Sequence, residues 1–331
     1  MRKRLLFKQI AALMLVAALF AGFNGSVYLL LTRRLANNFS GVSQIKMIDV
    51  KRYLPFEADS DLPEINSSLH LETDLPVLDG AAALVPVYAA VINAVYPEGS
   101  VTYEGNAFSD DNYYGENFAP DSVMQYRNTL RGYKAVVDGD ADILFCAGPS
   151  AEQTRYAEEQ GVTLRYVPIG REAFVFFVNK NNPVNGLTTD EIRAIYAGKI
   201  TNWKALGGPN RPVNPVTRLT GSGSQSMMDA FMKDVPYGKK TPLVLGGAAI
   251  GYSFRYYMDG IVGSDEVRML ELNGVSPTAE NIRTGAYPLV TQFYAIYRED
   301  NKNKNVEPLI EWLLSPEGQA LIEACGYVGI G

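Results

Sequence analysis

Residues 218–231, Arg-Leu-Thr-Gly-Ser-Gly-Ser-Gln-Ser-Met-Met-Asp-Ala-Phe, constrain this chain more than any other stretch. A β-leaning run at 215–218 leads into them. Gly221-Ser222-Gly223-Ser224 turns the chain, and Met227, Met228, Ala230 and Phe231 follow at helical spacing. Strand, small polar turn and helix start leave several backbone N–H groups unpaired at the positive end of a helix. Ser222, Ser224 and Ser226 add hydroxyl donors, and Arg218 adds a planar fork of N–H groups. Glycine lets the main chain approach a ligand closely. The stretch is therefore a candidate oxyanion cradle. A plainer reading has Ser224 or Ser226 capping a helix behind a tight loop. Two enzyme motifs are excluded. A P-loop needs Gly-Lys-Ser/Thr, and no Lys follows; a nucleophile elbow needs Gly-x-Ser-x-Gly, which Gly221-Ser222-Gly223-Ser224-Gln225 does not match.

The bulk charge does not help to hold an anion. The first 34 residues carry six basic residues and no acidic one, which leaves 24 basic against 36 acidic residues in the rest. An acidic body argues against nucleic acid as a partner. Any bound anion must be held by local dipoles and one or two arginines. The two cysteines, Cys146 and Cys325, lie far apart and form no Cys-x-x-Cys, so they read as buried free thiols and not as a metal or redox site. His70 is the single histidine and lies in a polar lead-in, which argues against a Ser-His-Asp triad or a histidine metal site. No cofactor is implied, and the chain reads as a binding protein and not an enzyme.

The N-terminus reads as a targeting element. Arg2, Lys3, Arg4 and Lys8 precede an uncharged run, 9–32, of 24 residues, enough to span a hydrocarbon core. Residues 1–34 are a signal peptide, with 13–20 as its apolar centre, or a membrane anchor, since 27–31 extends the apolar run. Either way the charge bias places the body outside the cytoplasm. Residues 35–72 mix Ser, Asn, Asp and Pro with isolated apolar residues and read as a linker with little core of its own.

The body alternates strands and helices. A strand at 75–78 ends at Asp79-Gly80, and a helix with Pro86 near its start follows at 81–95. A weak strand is expected at 101–103 and a loop at 106–117. A helix from Asn128-Thr129 stops at Asp138-Gly139, followed by a buried strand at 141–147 and a helix at 152–160. Strands at 163–168 and 173–178 come next, then a helix at 188–197 whose Thr188 and Glu191 form a capping box. After the cradle come a second glycine-rich segment at 246–252, strands at 268–272 and 289–297, and a helix at 306–324. The alternation predicts an α/β fold with a largely parallel sheet.

Several of these stretches resemble one family. The run at 173–178, Leu187-Thr188-Thr189-Asp190-Glu191-Ile192, Tyr196-Ala197-Gly198-Lys199-Ile200-Thr201-Asn202-Trp203, Arg218 with Gly221-Ser222-Gly223-Ser224, and Ala249-Ile250-Gly251-Tyr252 occur in its order and spacing. Together they resemble the phosphate-binding proteins of ABC phosphate importers, over roughly residues 74–331. The resemblance implies the type II periplasmic-binding-protein fold: two α/β lobes joined by two crossing strands. Lobe one is expected at 73–171 plus 292–331, and lobe two at 172–291. It implies an extracytoplasmic solute-binding protein that captures phosphate or a related oxyanion for ABC permease subunits, held to the membrane or exported through its N-terminal segment.

On the family pattern, Arg218, Ser222, Gly223 and Ser224 match the lobe-two phosphate contacts. Lobe one matches poorly. Gly80-Ala81-Ala82-Ala83 stands where the family has Ser or Thr, so Ala81 and Ala82 offer only backbone donors. Thr129 stands for the second hydroxyl, beside Leu130 in place of a small residue. Ala147 takes the place of the carboxylate that accepts the proton of phosphate. Without that acceptor, discrimination between phosphate and sulfate should weaken, unless an acidic residue such as Asp110 or Asp111 reaches the cleft. The competing expectation is a membrane-anchored sensor or interaction module that keeps the fold with a degraded anion site.

Overall fold

The computed structural model describes residues 48–106, 116–218, 222–238, 248–262 and 266–330, with Met14, Asn24 and Val27 besides. The strands are β1 (Leu78–Gly80), β2 (Tyr103–Asn106), β3 (Glu116–Phe118), β4 (Ile143–Ala147), β5 (Leu164–Asn179), β6 (Gly186–Leu187), β7 (Asn214–Pro215), β8 (Ala249–Phe254), β9 (Val267–Met269), β10 (Glu271–Leu272) and β11 (Val290–Arg298). The helices are α1 (Val85–Val95), α2 (Asn128–Asp138), α3 (Ala151–Glu159), α4 (Thr189–Tyr196), α5 (Gly223–Met232), α6 (Ala279–Arg283), α7 (Val306–Leu314) and α8 (Pro316–Ala324).

One mixed sheet runs through both lobes in the order β1-β4-β11-β5-β8-β7, with β9 also on β5. The β1–β4 and β7–β8 pairs at its two ends are parallel. The pairs made by the long strands β5 and β11 with each other and with β4, β8 and β9 are antiparallel. The expectation of a largely parallel sheet is thus corrected: parallel βα units build each end, but the two crossing strands carry the chain in opposite directions between the lobes. β5 is also one strand of 16 residues, not the two expected at 163–168 and 173–178. Its partner β11 keeps pairing past Gly170-Arg171-Glu172, with a register shift at Phe293/Tyr294 that leaves Ile169 bulged.

Side-chain caps account for five of the eight helix starts among the described residues. Thr188 accepts from the Glu191 N–H and Glu191 reaches back to the Thr188 N–H, the capping box expected for α4. Ser150 and Gln153 make a second such box on α3. Gly139 ends α2 in the left-handed region, with φ 90°. The single helix expected at 306–324 is two helices. Ser315 is extended, caps α8 through the Gly318 N–H, and places Pro316 in the first turn, which α7 cannot continue through. The segment after residue 48 is also more than a linker. Ile48, Val50, Tyr53 and Leu71 are buried in the same core as Val85, Val91 and Leu321. The Leu71 N–H donates to Val95 O at 2.9 Å, tying the segment to α1. Its isolated apolar residues understate its burial because they sit one or two at a time on a finished helix face. Cys146 and Cys325 are buried free thiols. Apart from three single residues, segment 1–34 lies outside the described residues, as do Asp110, Asp111 and the Gly246-Gly247 pair.

Candidate functional site

The carboxyl ends of parallel strands build the two walls of the site, where α/β sheets place their ligands. On the lobe-one side β1 and β4 run in register, with Gly80 opposite Phe145, and the chain leaves them at Ala81 and Ala147. On the lobe-two side β7 and β8 are parallel, and the chain leaves β7 toward Arg218 and ends β8 at Phe254. Gly80 is there for room and not for a turn. A Cβ on it would lie 2.5 Å from the Tyr88 ring and 2.9 Å from Phe145 O.

The helix starts α2 and α5 converge across the gap. A Cβ built on Gly223 would sit 3.5 Å from Thr129 Oγ1 and 3.8 Å from the Phe254 ring. The structure therefore brings Thr129, Gly223 and its neighbours together, so that the starts of two helices stand beside one small volume, although the Thr129 N–H itself donates to Asn128 Oδ1 at 2.8 Å. Ser222, and not Ser224 or Ser226, caps α5: its hydroxyl oxygen accepts from the Gln225 N–H at 3.2 Å. Among the described residues no acceptor takes the hydroxyl proton of Ser222. Ser226 turns away, donating to Ser222 O at 3.2 Å. Ser224 is buried in the first turn.

Arg218 is pinned by its backbone. Its N–H donates to Gln225 Oε1 at 2.9 Å and to the Tyr252 hydroxyl at 3.0 Å. Gln225 is the centre of a small network: Oε1 also accepts from Tyr252 at 2.5 Å, and Nε2 donates to Asp229 Oδ1 at 2.8 Å, which Tyr237 also approaches at 2.6 Å. Gln225 is not among the residues singled out from the sequence. The available signal is its place three residues after Ser222, where a capping residue's partner belongs. The Arg218 side chain meets Tyr257. Burial pushes that phenol above its ordinary range, and the charge and hydrogen bond of Arg218 oppose the shift. Arg218 also borders a cavity of about 640 Å³ on the lobe-two side, walled by Tyr196, Pro215, Gln225 and Asp229.

Lobe one offers less than its position implies. The Ala81 N–H already donates to Phe145 O at 2.8 Å, so Ala81 is a wall and not a donor, and the expectation of a donor there is corrected. Ala82 opens the short helical turn Ala82–Leu84 that precedes α1. Asp79, expected in a turn, is a fully buried strand residue. Its carboxylate accepts from the Gly80 and Arg127 N–H groups at 2.8 and 2.9 Å and pairs with the Arg127 guanidinium at 2.9 Å. Burial pushes Asp79 up from the usual carboxylate range, and Arg127 pulls against it. The pair locks β1 to the start of α2 and so fixes where Thr129 stands.

Ala147 lines a small cavity with Ala81, Ala83, Phe254, Thr291, Tyr327 and Glu172. The position lacks its own carboxylate, but Glu172 reaches the same space from the crossing strand β5.

The family described as "PBP superfamily domain" matches residues 116–317, more than half of the chain. The phosphate-binding protein PstS of Bacillus subtilis is 25% identical over 256 residues, covering 70% of this chain and 81% of that protein. The protein SphX of Synechococcus elongatus is 26% identical over 291 residues, covering 76% and 86%. Among solved structures, a Clostridium perfringens chain described as a phosphate ABC transporter substrate-binding protein, with bound phosphate, superposes with a TM-score of 0.56 at 25% identity, covering 77% of this chain and 98% of that one. An ABC-type phosphate transport receptor from Vibrio cholerae shares the fold, with a TM-score of 0.53 at 19% identity, covering 76% and 98%. With two lobes, two crossing strands and paired helix starts at the cleft already in place, these matches lead to one statement: the chain belongs to the PBP superfamily.

Proposed function

We propose that this chain is an extracytoplasmic solute-binding protein that captures phosphate or a related oxyanion between its lobes and presents it to an ABC importer. The observation that carries the reading is the approach of Thr129 to Gly223, 3.5 Å from the Cβ position, which sets two helix N-termini against one small volume, with Arg218 tied through its backbone to Gln225 in the first turn of the second helix. Such an arrangement suits a compact anion and offers nothing to a cation. An acidic chain gains no affinity from its overall field, so these local donors supply the attraction. The names of the relatives, phosphate-binding proteins and phosphate transport receptors, support the same reading.

In this proposal lobe one comprises 73–171 plus 292–331 and lobe two 172–291, with β5 and β11 as the hinge. Arg218, Ser222, Gly223 and Ser224 contact the anion from lobe two, and Thr129 and the Ala82 turn from lobe one. Permease subunits are the protein partners, and residues 1–34 direct the body out of the cytoplasm or hold it at the membrane. Isothermal titration of the full chain with inorganic phosphate, sulfate and arsenate tests it. Saturable one-to-one binding of any of them supports the reading, and heat flat for all three removes it.

A further inference from the structure

Among the described residues, Glu172 is a buried carboxylate beside Ala147 that no motif identifies. It lies on β5 opposite Thr291 of β11, at the point where the crossing strand passes between lobes. It is 3% exposed. Its side chain borders the cavity shared by Ala81, Ala147, Phe254 and Tyr327, whose volume of about 20 Å³ admits one oxygen-sized group. Phe254 joins this cavity to the helix start at Gly223, 3.8 Å from the Cβ position.

The carboxylate is held but not saturated. Oε1 accepts from the Ala173 N–H at 2.8 Å and Oε2 from the Tyr256 N–H at 3.1 Å. The nearest cation, Arg255, stands 3.4 Å away through Nε, yet that Nε makes no hydrogen bond among the described residues. Arg255 donates instead to Gly326 O at 2.6 Å and lies 3.9 Å from Asp259. A carboxylate has about four acceptor sites; Oε1 is shared between the Ala173 N–H and the Arg255 ion pair, so among the described residues it is Oε2 that keeps one. We propose that Glu172 is the specificity-determining acceptor of this site, taking the hydrogen bond of a protonated oxyanion in place of the carboxylate missing at Ala147.

The groups facing Glu172 are Arg255 from the end of β8, Tyr327 from the C-terminal segment, and the Ala173 and Tyr256 N–H groups. Burial raises the carboxyl to about 7 against the pull of Arg255. Above that value an ionised Glu172 accepts from hydrogen phosphate but repels sulfate, which has no proton to offer. Below it, the protonated group donates to either anion. This inference rests on the oxyanion reading.

The test is titration of the full chain and of Glu172→Gln with inorganic phosphate and with sulfate at about pH 6 and about pH 8, on either side of the titration. The inference expects a phosphate preference in the unaltered chain that rises roughly 10-fold between the two values and reaches roughly 10- to 100-fold at the higher one. In Glu172→Gln the preference should fall to near unity at both. A purely structural role would weaken both anions alike and leave their ratio unmoved, which overturns the inference while the oxyanion reading stands. Binding of neither anion to the unaltered chain overturns both. If Glu172→Gln does not fold, Glu172→Asp, which draws the carboxylate back by one methylene, takes its place: a phosphate-to-sulfate ratio equal to that of the unaltered chain at the same pH overturns the inference.

Discussion

Thr129 and Gly223 face each other across the cleft, with the Thr129 hydroxyl 3.5 Å from the point where Gly223 would carry a Cβ. That spacing is ordinary van der Waals contact, so an added methyl fits without strain but stands in the mouth of the site. Alanine is also a better helix former than glycine. Gly223→Ala should therefore leave the melting temperature unchanged or slightly raised, while anion affinity falls at least about 10-fold through exclusion of the ligand from the helix start. Calorimetric titration beside a thermal melt checks both halves. Unaltered affinity would place the anion elsewhere.

Arg218 separates structure from binding along its own bonds. The backbone N–H bonds to Gln225 and Tyr252, while the side chain bonds to Tyr257. Arg218→Ala keeps the anchoring bonds and removes only the side chain. Charge-assisted bonds contribute roughly 1.5–3 kcal/mol each, so removing a bidentate pair of them should lower affinity about 100-fold or more. The apo melting temperature should move little. A variant that binds as before would remove Arg218 from the site.

Gln225 should behave in the opposite way. It links the Arg218 N–H, the Tyr252 hydroxyl and Asp229 and is 7% exposed. Gln225→Ala leaves those partners short of a bond in a half-dry pocket, at roughly 1–3 kcal/mol for each group stranded. Urea unfolding is expected to show a loss of about 2–4 kcal/mol, together with weaker anion binding. Unchanged stability would show that water replaces the amide.

These residues also show what the chain discloses before it folds. The α4 cap is legible because its cause is local: Thr188 and Glu191 sit three residues apart and bond to each other, whereas the α5 cap falls on Ser222 and not on the later serines, where the helix start alone decides. The role of Asp79 is hidden because Asp-Gly is an ordinary turn signal, and only the fold places Arg127 against it, 48 residues later. Glu172 is illegible for a stronger reason. Its significance arises where β4, β5, β11 and Tyr327 enclose one cavity, and no spacing in the sequence encodes that meeting. The crossing strand reads as two because Gly170-Arg171-Glu172 resembles a break, whereas β11 supplies ladder partners straight through it.

The buried position of Glu172 has a consequence for stability that does not depend on any ligand. Its carboxyl rises from an ordinary 4.5 to about 7 in the folded chain, with burial the largest cause. A folded state that holds the proton more tightly than the unfolded chain gains its full stabilisation below the unfolded value, and loses it as pH rises through the folded one. For this group the window runs from about pH 4.5 to about pH 7. A shift of this size corresponds to roughly 3 kcal/mol. Glu172→Gln removes the titration, while Asp79, whose carboxyl is also raised by burial, remains in both proteins and cancels in the comparison. Urea unfolding across this range should therefore show the unaltered chain losing roughly 3 kcal/mol relative to Glu172→Gln between the two limits, with the difference constant on either side. Parallel profiles for the two proteins would mean that Arg255 keeps Glu172 ionised throughout, and that the carboxylate in the hinge is a fixed ion pair and not a titrating group.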